Sequence, residues 1–476
     1  MSRNRLSLFA VLAAAMAVIP LIPGPASPAS AFQPGVQGPI ATNVADLLLF
    51  DDYLRAEALL DQRPTGLTPP ELLAFRGEVE FRKGHFNAAE ELYRRALAAD
   101  SKTARAYDGL GKLAMAKLRI DDAIESFGRA ASLDAREPLY RLHASDAYGA
   151  NGRLDEQRKY IEEYIRLKPK DADRLAEVQA GLATIDALTP FGPIGKIEAP
   201  ERPLPIPFRK TLNLIFSDVF INNQGPFRFA IDSGATLTAV NPQVISALGL
   251  KPLTTTVMHG IGGNGKAESS MFRADTLQIG GIRIRNVPLG TYNDPVVSQI
   301  ADGIIGTSAL AEFIVTINYP ENRVDLTRNV PGPGAPETDT IPAWFFSNLL
   351  LVPAEINGHP GNFLVDTGAV ASVLSHSMAA QLGVTRDTPG ARAAQALGGV
   401  GGADGSVLTA PNVTIKVSKT TRRFDAMLAI DLKDFSRMIG TEISGIMGFD
   451  LLDGRAVTLD YSAPEVRLIS APENIR

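Results

Sequence analysis

The segment Phe229-Ala-Ile-Asp232-Ser233-Gly234-Ala235 recurs 134 residues later as Phe363-Leu-Val-Asp366-Thr367-Gly368-Ala369. Each copy is an alternating apolar run that stops at Asp-Ser/Thr-Gly, the pattern of a half-buried strand that delivers an aspartate at its end. The likeness continues at the same offset to Leu248-Gly249 and Leu382-Gly383. A second block pairs Gly303-Ile-Ile-Gly306 with Gly445-Ile-Met-Gly448, then Val315-Thr316 and Tyr319 with Val457-Thr458 and Tyr461, now at an offset of 142. One unit duplicated within a chain predicts two lobes about a pseudo-twofold axis, with Asp232 and Asp366 meeting on it. The growth of the offset from 134 to 142 puts extra loop in one lobe.

The residues after each aspartate fit that geometry. Gly234 and Gly368 permit a tight turn whose N–H groups approach a carboxylate where a Cβ would clash. Ser233 and Thr367 supply hydroxyls able to bond across the lobe interface and hold the two aspartates at fixed separation. A short helix is expected after each motif. Asn241 caps the first, with Pro242 at its first position and Gly249 closing it, and Ser375 and Gly383 stand in the equivalent places.

Together these residues resemble the retropepsin-like aspartic protease family, over roughly residues 209 to 470. The resemblance implies a closed, mostly β fold for each lobe and a cleft between them, both halves lying in one chain as in pepsins. It also implies Asp232 and Asp366 as the catalytic dyad of an aspartic endopeptidase acting on a peptide or protein substrate, with no metal or organic cofactor. Ser233, Gly234, Thr367 and Gly368 would support the dyad. The family closes Gly-rich hairpin flaps over substrate, and two candidates stand in matching places: one around Gly262 and Gly263, the other around Gly401 and Gly402. The alternative is a catalytically silent, periplasmic peptide-binding scaffold. Gly260 to Lys266 also fits a phosphate-loop pattern, but Ala267 stands where a Mg²⁺-binding hydroxyl belongs, and no βαβ context surrounds it.

Ahead of the lobes, Gly77 and Gly111, Ala89 and Ala123, Ala96 and Ala130, and Asp100 and Asp134 each lie 34 residues apart. That period and the interleaved aromatic residues resemble the tetratricopeptide repeat, in units of about 70–103, 104–137 and 138–171. Its small residues let paired helices approach, and three units stack into a short solenoid. The resemblance places Glu78, Lys112 and Asp146 near the concave face, a groove expected to recruit a protein partner.

The layout expected is therefore multidomain, an all-α tetratricopeptide solenoid followed by a mostly-β two-lobed acid protease fold. Its segments are a signal peptide over 1–31, repeat helices over 44–185 and a Pro-rich linker over 186–208, then lobes over 209–330 and 341–473. With the linker read as a spacer, the lobes are expected to fold without the repeats. Arg3 and Arg5, the apolar run Leu6 to Ile19 and the small residues closing on Ala29-Ser30-Ala31 carry the signal-peptide reading. They predict export to the periplasm or medium, with no stable membrane span after cleavage. A net charge of -5 gives no basic footprint for nucleic acid. The absence of cysteine excludes disulfides, thiolate chemistry and Cys-based zinc sites.

Overall fold

The structure is a computed structural model that describes residues 13–14, 19–20, 44–64, 66–199, 205–260, 266–292, 295–328, 339–391, 397–399, 402–404 and 406–470. Apart from 13–14 and 19–20, the expected signal peptide lies outside the described residues.

Helices follow one another from Val44–Leu49 to Ala172–Leu188. Three helical hairpins form the repeats: Pro69–Arg82 with Phe86–Ala99, Ala104–Ala116 with Ile120–Leu133, and Pro138–Ala150 with Leu154–Arg166. The first starts on a capping box, with the Thr68 N–H donating to Glu71 Oε2 at 2.8 Å and Pro69 at the first turn. The 34-residue glycines set the helix spacing. A Cβ on Gly77 would stand 2.6 Å from the Tyr93 ring, and one on Gly111 would stand 2.5 Å from that of Phe127. Both rings are buried in the seams so formed.

The Pro-rich stretch 186–208, expected as a linker, is largely built into the protein. The helix Ala172–Leu188 runs into it, Lys196–Glu198 pairs with the strand Ile282–Thr291, and Pro205–Pro207 pairs with Arg323–Arg328. Proline lacks only the N–H donor, so an edge strand accepts Pro205 and Pro207 while Ile206 points into the core at 2% exposure.

Each lobe repeats the same construction. In the first, the strand Gln224–Ile231 pairs antiparallel with Leu214–Ile221 and parallel with Gly303–Ile305, Ile231 opposite Ile305. In the second, His359–Val365 pairs antiparallel with Leu349–Ile356 and parallel with Gly445–Met447, Val365 opposite Met447. The helices Pro242–Ala247 and His376–Gln381 start on the expected caps, Asn241 and Ser375. A six-stranded sheet joins the lobes. Its central strands Phe313–Asn318 and Arg455–Asp460 run antiparallel, and Thr316 and Thr458 meet hydroxyl to hydroxyl at 2.9 Å, marking the pseudo-twofold axis.

The helices are packed onto both lobes. Phe86 lies 4.4 Å from Trp344 and 5.4 Å from Phe346, ring centre to ring centre, and Phe81 is 6.0 Å from Phe346. Around these rings Thr441 Oγ1 donates to Phe81 O at 2.9 Å, the Glu442 N–H to Arg82 O at 2.7 Å, and Asn362 Nδ2 to Gly84 O at 3.2 Å. At the other end the Thr184 hydroxyl meets that of Thr254, in the first lobe, at 3.1 Å. Trp344, the single tryptophan, packs between helices and second lobe rather than between the two lobes. The contact between helices and lobes is therefore an aromatic seam rather than a bare tether.

Candidate active site

Parallel pairing carries each aspartate to the same place. The Asp232 N–H donates to Ile305 O and the Asp366 N–H to Met447 O, both at 3.0 Å, so each motif turns off the end of its sheet in register with its Gly-containing partner strand. The loops then cross. Ser233 Oγ donates to Val365 O at 2.8 Å and accepts the Thr367 N–H at 3.1 Å, while Thr367 Oγ1 donates to Ile231 O at 2.8 Å and accepts the Ser233 N–H at 3.0 Å. Four reciprocal bonds, all buried, lock one lobe's motif to the other's. Because every group in the set is paired, removing either hydroxyl strands a buried carbonyl and a buried N–H.

The carboxyls meet above this clamp, hydrogen-bonded to each other. Asp232 Oδ1 accepts the N–H groups of Gly234 at 2.8 Å and Ala235 at 3.0 Å, and Asp366 Oδ1 accepts that of Gly368 at 2.8 Å. A Cβ on Gly234 would collide with the Asp366 carboxyl, and one on Gly368 with that of Asp232. Each glycine thus makes room for the opposite lobe's aspartate.

Both side chains are 1% exposed, and the electrostatics follow. Burial pushes Asp232 well above the usual carboxylate range, and the neighbouring Asp366 charge and hydrogen bond push it further. Burial raises Asp366 as well, partly offset by its hydrogen bonds to Asp232 and to backbone N–H groups. Two such groups cannot both ionise cheaply, so the pair retains one proton over a wide pH range.

Of two further pairs at the duplication offsets, the sequence reading missed the first and named the second only as part of the repeat. Thr238 and Ser372, 134 residues apart, offer hydroxyls to the N–H groups of Gly306 at 3.4 Å and Gly448 at 2.9 Å, fastening each Gly-containing strand beneath its aspartate. Tyr319 and Tyr461, 142 apart, are 1% exposed. Burial holds both phenols above their usual range, Tyr319 also feeling Asp453 and Asp366, and Tyr461 feeling Asp232. Matching hydroxyl or aromatic residues at a fixed offset was the available signal.

Of the expected flap residues, Gly262, Gly263 and Gly401 lie outside the described residues. The strands bounding the first form an antiparallel hairpin, Pro252–Gly260 with Lys266–Ile279, and Gly402 opens the strand Gly402–Asp404 opposite Leu397–Gly399. Lys266 begins a strand rather than a helix, so the phosphate-loop pattern lacks the helix N-terminus that such a loop requires. Among the described residues no group of three or more His, Cys, Asp or Glu is placed to hold a metal ion, and no helix is long and apolar enough to cross a membrane.

Comparison with known proteins agrees with the order of helices and lobes. Residues 217–309 and 352–451 match the family described as aspartyl protease, and residues 140–171 match the tetratricopeptide repeat. No curated protein matches the chain. Among solved structures, the aspartic proteinase from Irpex lacteus is similar at a TM-score of 0.37 and 10% identity, over 58% of this chain and 99% of that one. The chain is a multidomain protein that sets tetratricopeptide-type helices before a mostly-β, two-lobed region of aspartyl protease type.

Proposed function

We propose that the two lobes are an aspartic endopeptidase in which Asp232 and Asp366 share one proton and activate water against a peptide bond. The observation that carries this is the mutual cradle, in which each buried carboxyl bonds the other and packs against the opposite lobe's glycine. In the singly ionised pair the carboxylate takes a proton from water as general base, while the neutral carboxyl donates its hydrogen bond to the scissile carbonyl oxygen. Oxygen adds to the carbonyl carbon as the neutral carboxyl passes its proton to the carbonyl oxygen, giving a tetrahedral diol. The proton taken from water then passes to the leaving nitrogen and the C–N bond breaks, while a diol hydroxyl returns its proton to the other carboxylate and restores the pair. Both acids and their full backbone support favour hydrolysis over a silent peptide-binding scaffold.

The repeats serve this region in our reading by holding both lobes. The helices that bear Phe81, Arg82 and Lys112 look onto the second lobe, which narrows any recruitment of a partner through the groove to what that lobe leaves open. The leader-like residues 1–31 support export to the periplasm or medium. Incubating the mature protein with a diverse peptide library from pH 3 to 8 and sequencing the products tests the activity. Internal cuts in mildly acidic solution, about pH 4.5 to 6, are expected, and an untouched library at every pH contradicts it.

A further inference from the structure

Between the repeat helices and the second lobe lies a cavity of ≈ 210 Å³ that neither Asp232 nor Asp366 lines. Its apolar walls include Phe81, Met115 and Phe127 from the helices, and Phe346, Met438 and Tyr461 from the protease region. Several of the charged groups at its edge are already satisfied. Arg82 pairs with Asp51 at 3.1 Å and Glu78 at 3.2 Å, Lys112 with Glu78 at 2.7 Å and Asp108 at 3.2 Å, and His143 Nδ1 with Asp108 at 2.7 Å.

Three are not satisfied in this way. Arg174, on the helix Ala172–Leu188, reaches Glu177 only at 3.9 Å, and Arg437, on Lys433–Ile439 of the second lobe, reaches Asp171 only at 3.6 Å. Those separations are ion pairs too long for hydrogen bonds, so Glu177 and Asp171 balance part of the charge while, among the described residues, both guanidinium forks keep N–H donors to offer. Asp146, on Pro138–Ala150, faces the same space with neither hydrogen bond nor salt bridge among the described residues. Burial lifts its carboxyl to about 7, and the nearby His143 and Arg174 charges only partly counter this.

Two open guanidinium forks and one open carboxyl against aromatic and thioether walls define an occupant. A simple anion would suit the arginines and leave Asp146 opposed to it. A simple cation would suit Asp146 and face two arginines. A molecule bearing a carboxylate, an ammonium and an apolar body satisfies all three charges and the walls. We propose that this cavity binds a zwitterionic, apolar amino-acid unit, its carboxylate on Arg174 and Arg437 and its ammonium on Asp146. A free amino acid and a short peptide with charged ends share that chemistry. Because the dyad takes no part, the proposal stands or falls independently of the peptidase reading.

Calorimetric titration of the full chain with L-phenylalanine, 2-phenylethylamine and 3-phenylpropanoate tests it without any mutation. Phenylalanine is expected to bind at least about tenfold tighter than either singly charged analogue. Binding of the dipeptide L-Phe-L-Phe in place of phenylalanine keeps the proposal and assigns the ligand to peptide ends. The variants Arg174→Gln and Arg437→Gln should weaken phenylalanine and phenylpropanoate but spare phenylethylamine. Asp146→Asn should weaken phenylalanine and phenylethylamine. No saturable heat from any of the four probes, an analogue that binds as tightly as the zwitterions, or affinities unchanged in all three variants would overturn it.

Discussion

Glu78 in the repeat helices and Asp232 in the first lobe are both sealed from solvent, at 2% and 1% exposure, yet their acidities move in opposite directions. Burial alone would raise each. At Glu78 it is outweighed by Lys112 Nζ at 2.7 Å and Arg82 Nε at 3.2 Å, which hold the carboxyl far below its usual range. At Asp232 the charged neighbour is another carboxylate, so burial and Coulomb repulsion add. Burial supplies the sensitivity, and the sign of the neighbour decides whether the group stays an ion that ties helices together or becomes an acid able to hold and give up a proton. The helices use the first arrangement for structure, and the proposed peptidase reading has the lobes use the second for chemistry.

The comparison can be broken in several ways, of decreasing expected effect on stability. Removing the helices altogether is the largest. A fragment beginning at Arg209 loses the strand Pro205–Pro207 and uncovers the Trp344 and Phe346 rings, so it should be insoluble or fail to give a cooperative unfolding transition. A soluble, cooperatively folded fragment would show the seam to be dispensable. Next, Glu78→Ala leaves Lys112 and Arg82 without the carboxylate they share and should cost about 3 to 5 kcal/mol by urea unfolding. A loss below about 1 kcal/mol would mean Asp51 and Asp108 suffice for the two cations. In the lobes, Ser233→Ala strands the Val365 carbonyl and the Thr367 N–H, for about 1 to 3 kcal/mol. Thr367→Ala should match it, since the clamp is reciprocal.

The last is a slope, its size set by the pH interval over which it is read. A carboxyl whose folded pKa is raised binds more protons folded than unfolded, so its contribution is full below the unfolded value, near pH 4, and is lost as pH rises toward the raised value, about 7 for Asp366. Glu78 runs the other way, its contribution present above about pH 4.5 and lost as pH falls below it. Relative to wild type, Asp366→Asn should therefore gain stability from about pH 4 to 7, at up to about 1.4 kcal/mol per pH unit for one proton. Parallel pH–stability curves for the two proteins would contradict the raised pair.

How much of this was readable beforehand depended on whether a residue's role repeats. Asp232, Ser233, Gly234 and their partners at Asp366, Thr367 and Gly368 stood out because two copies of a local pattern at one offset are hard to explain otherwise, and the helix caps Asn241 and Ser375 followed from local hydrogen-bond chemistry. The 34-residue glycines were legible for the same reason. The seam between helices and lobes was not, because Phe81, Phe86, Trp344 and Phe346 occur once each in a role that only tertiary packing assigns, and an exposed and a docked aromatic look alike in sequence. The edge strand Pro205–Pro207 was hidden by its prolines, which rule out a central strand but not an outermost one.

The most direct test of the account is turnover of a cleaved library peptide by Asp232→Asn and Asp366→Asn, each checked for a wild-type unfolding transition. Both substitutions keep the shape of the side chain while removing the shared proton. The account predicts that each folded variant alone loses turnover by about a thousandfold or more, to within background. Either variant cleaving at near the wild-type rate would contradict it.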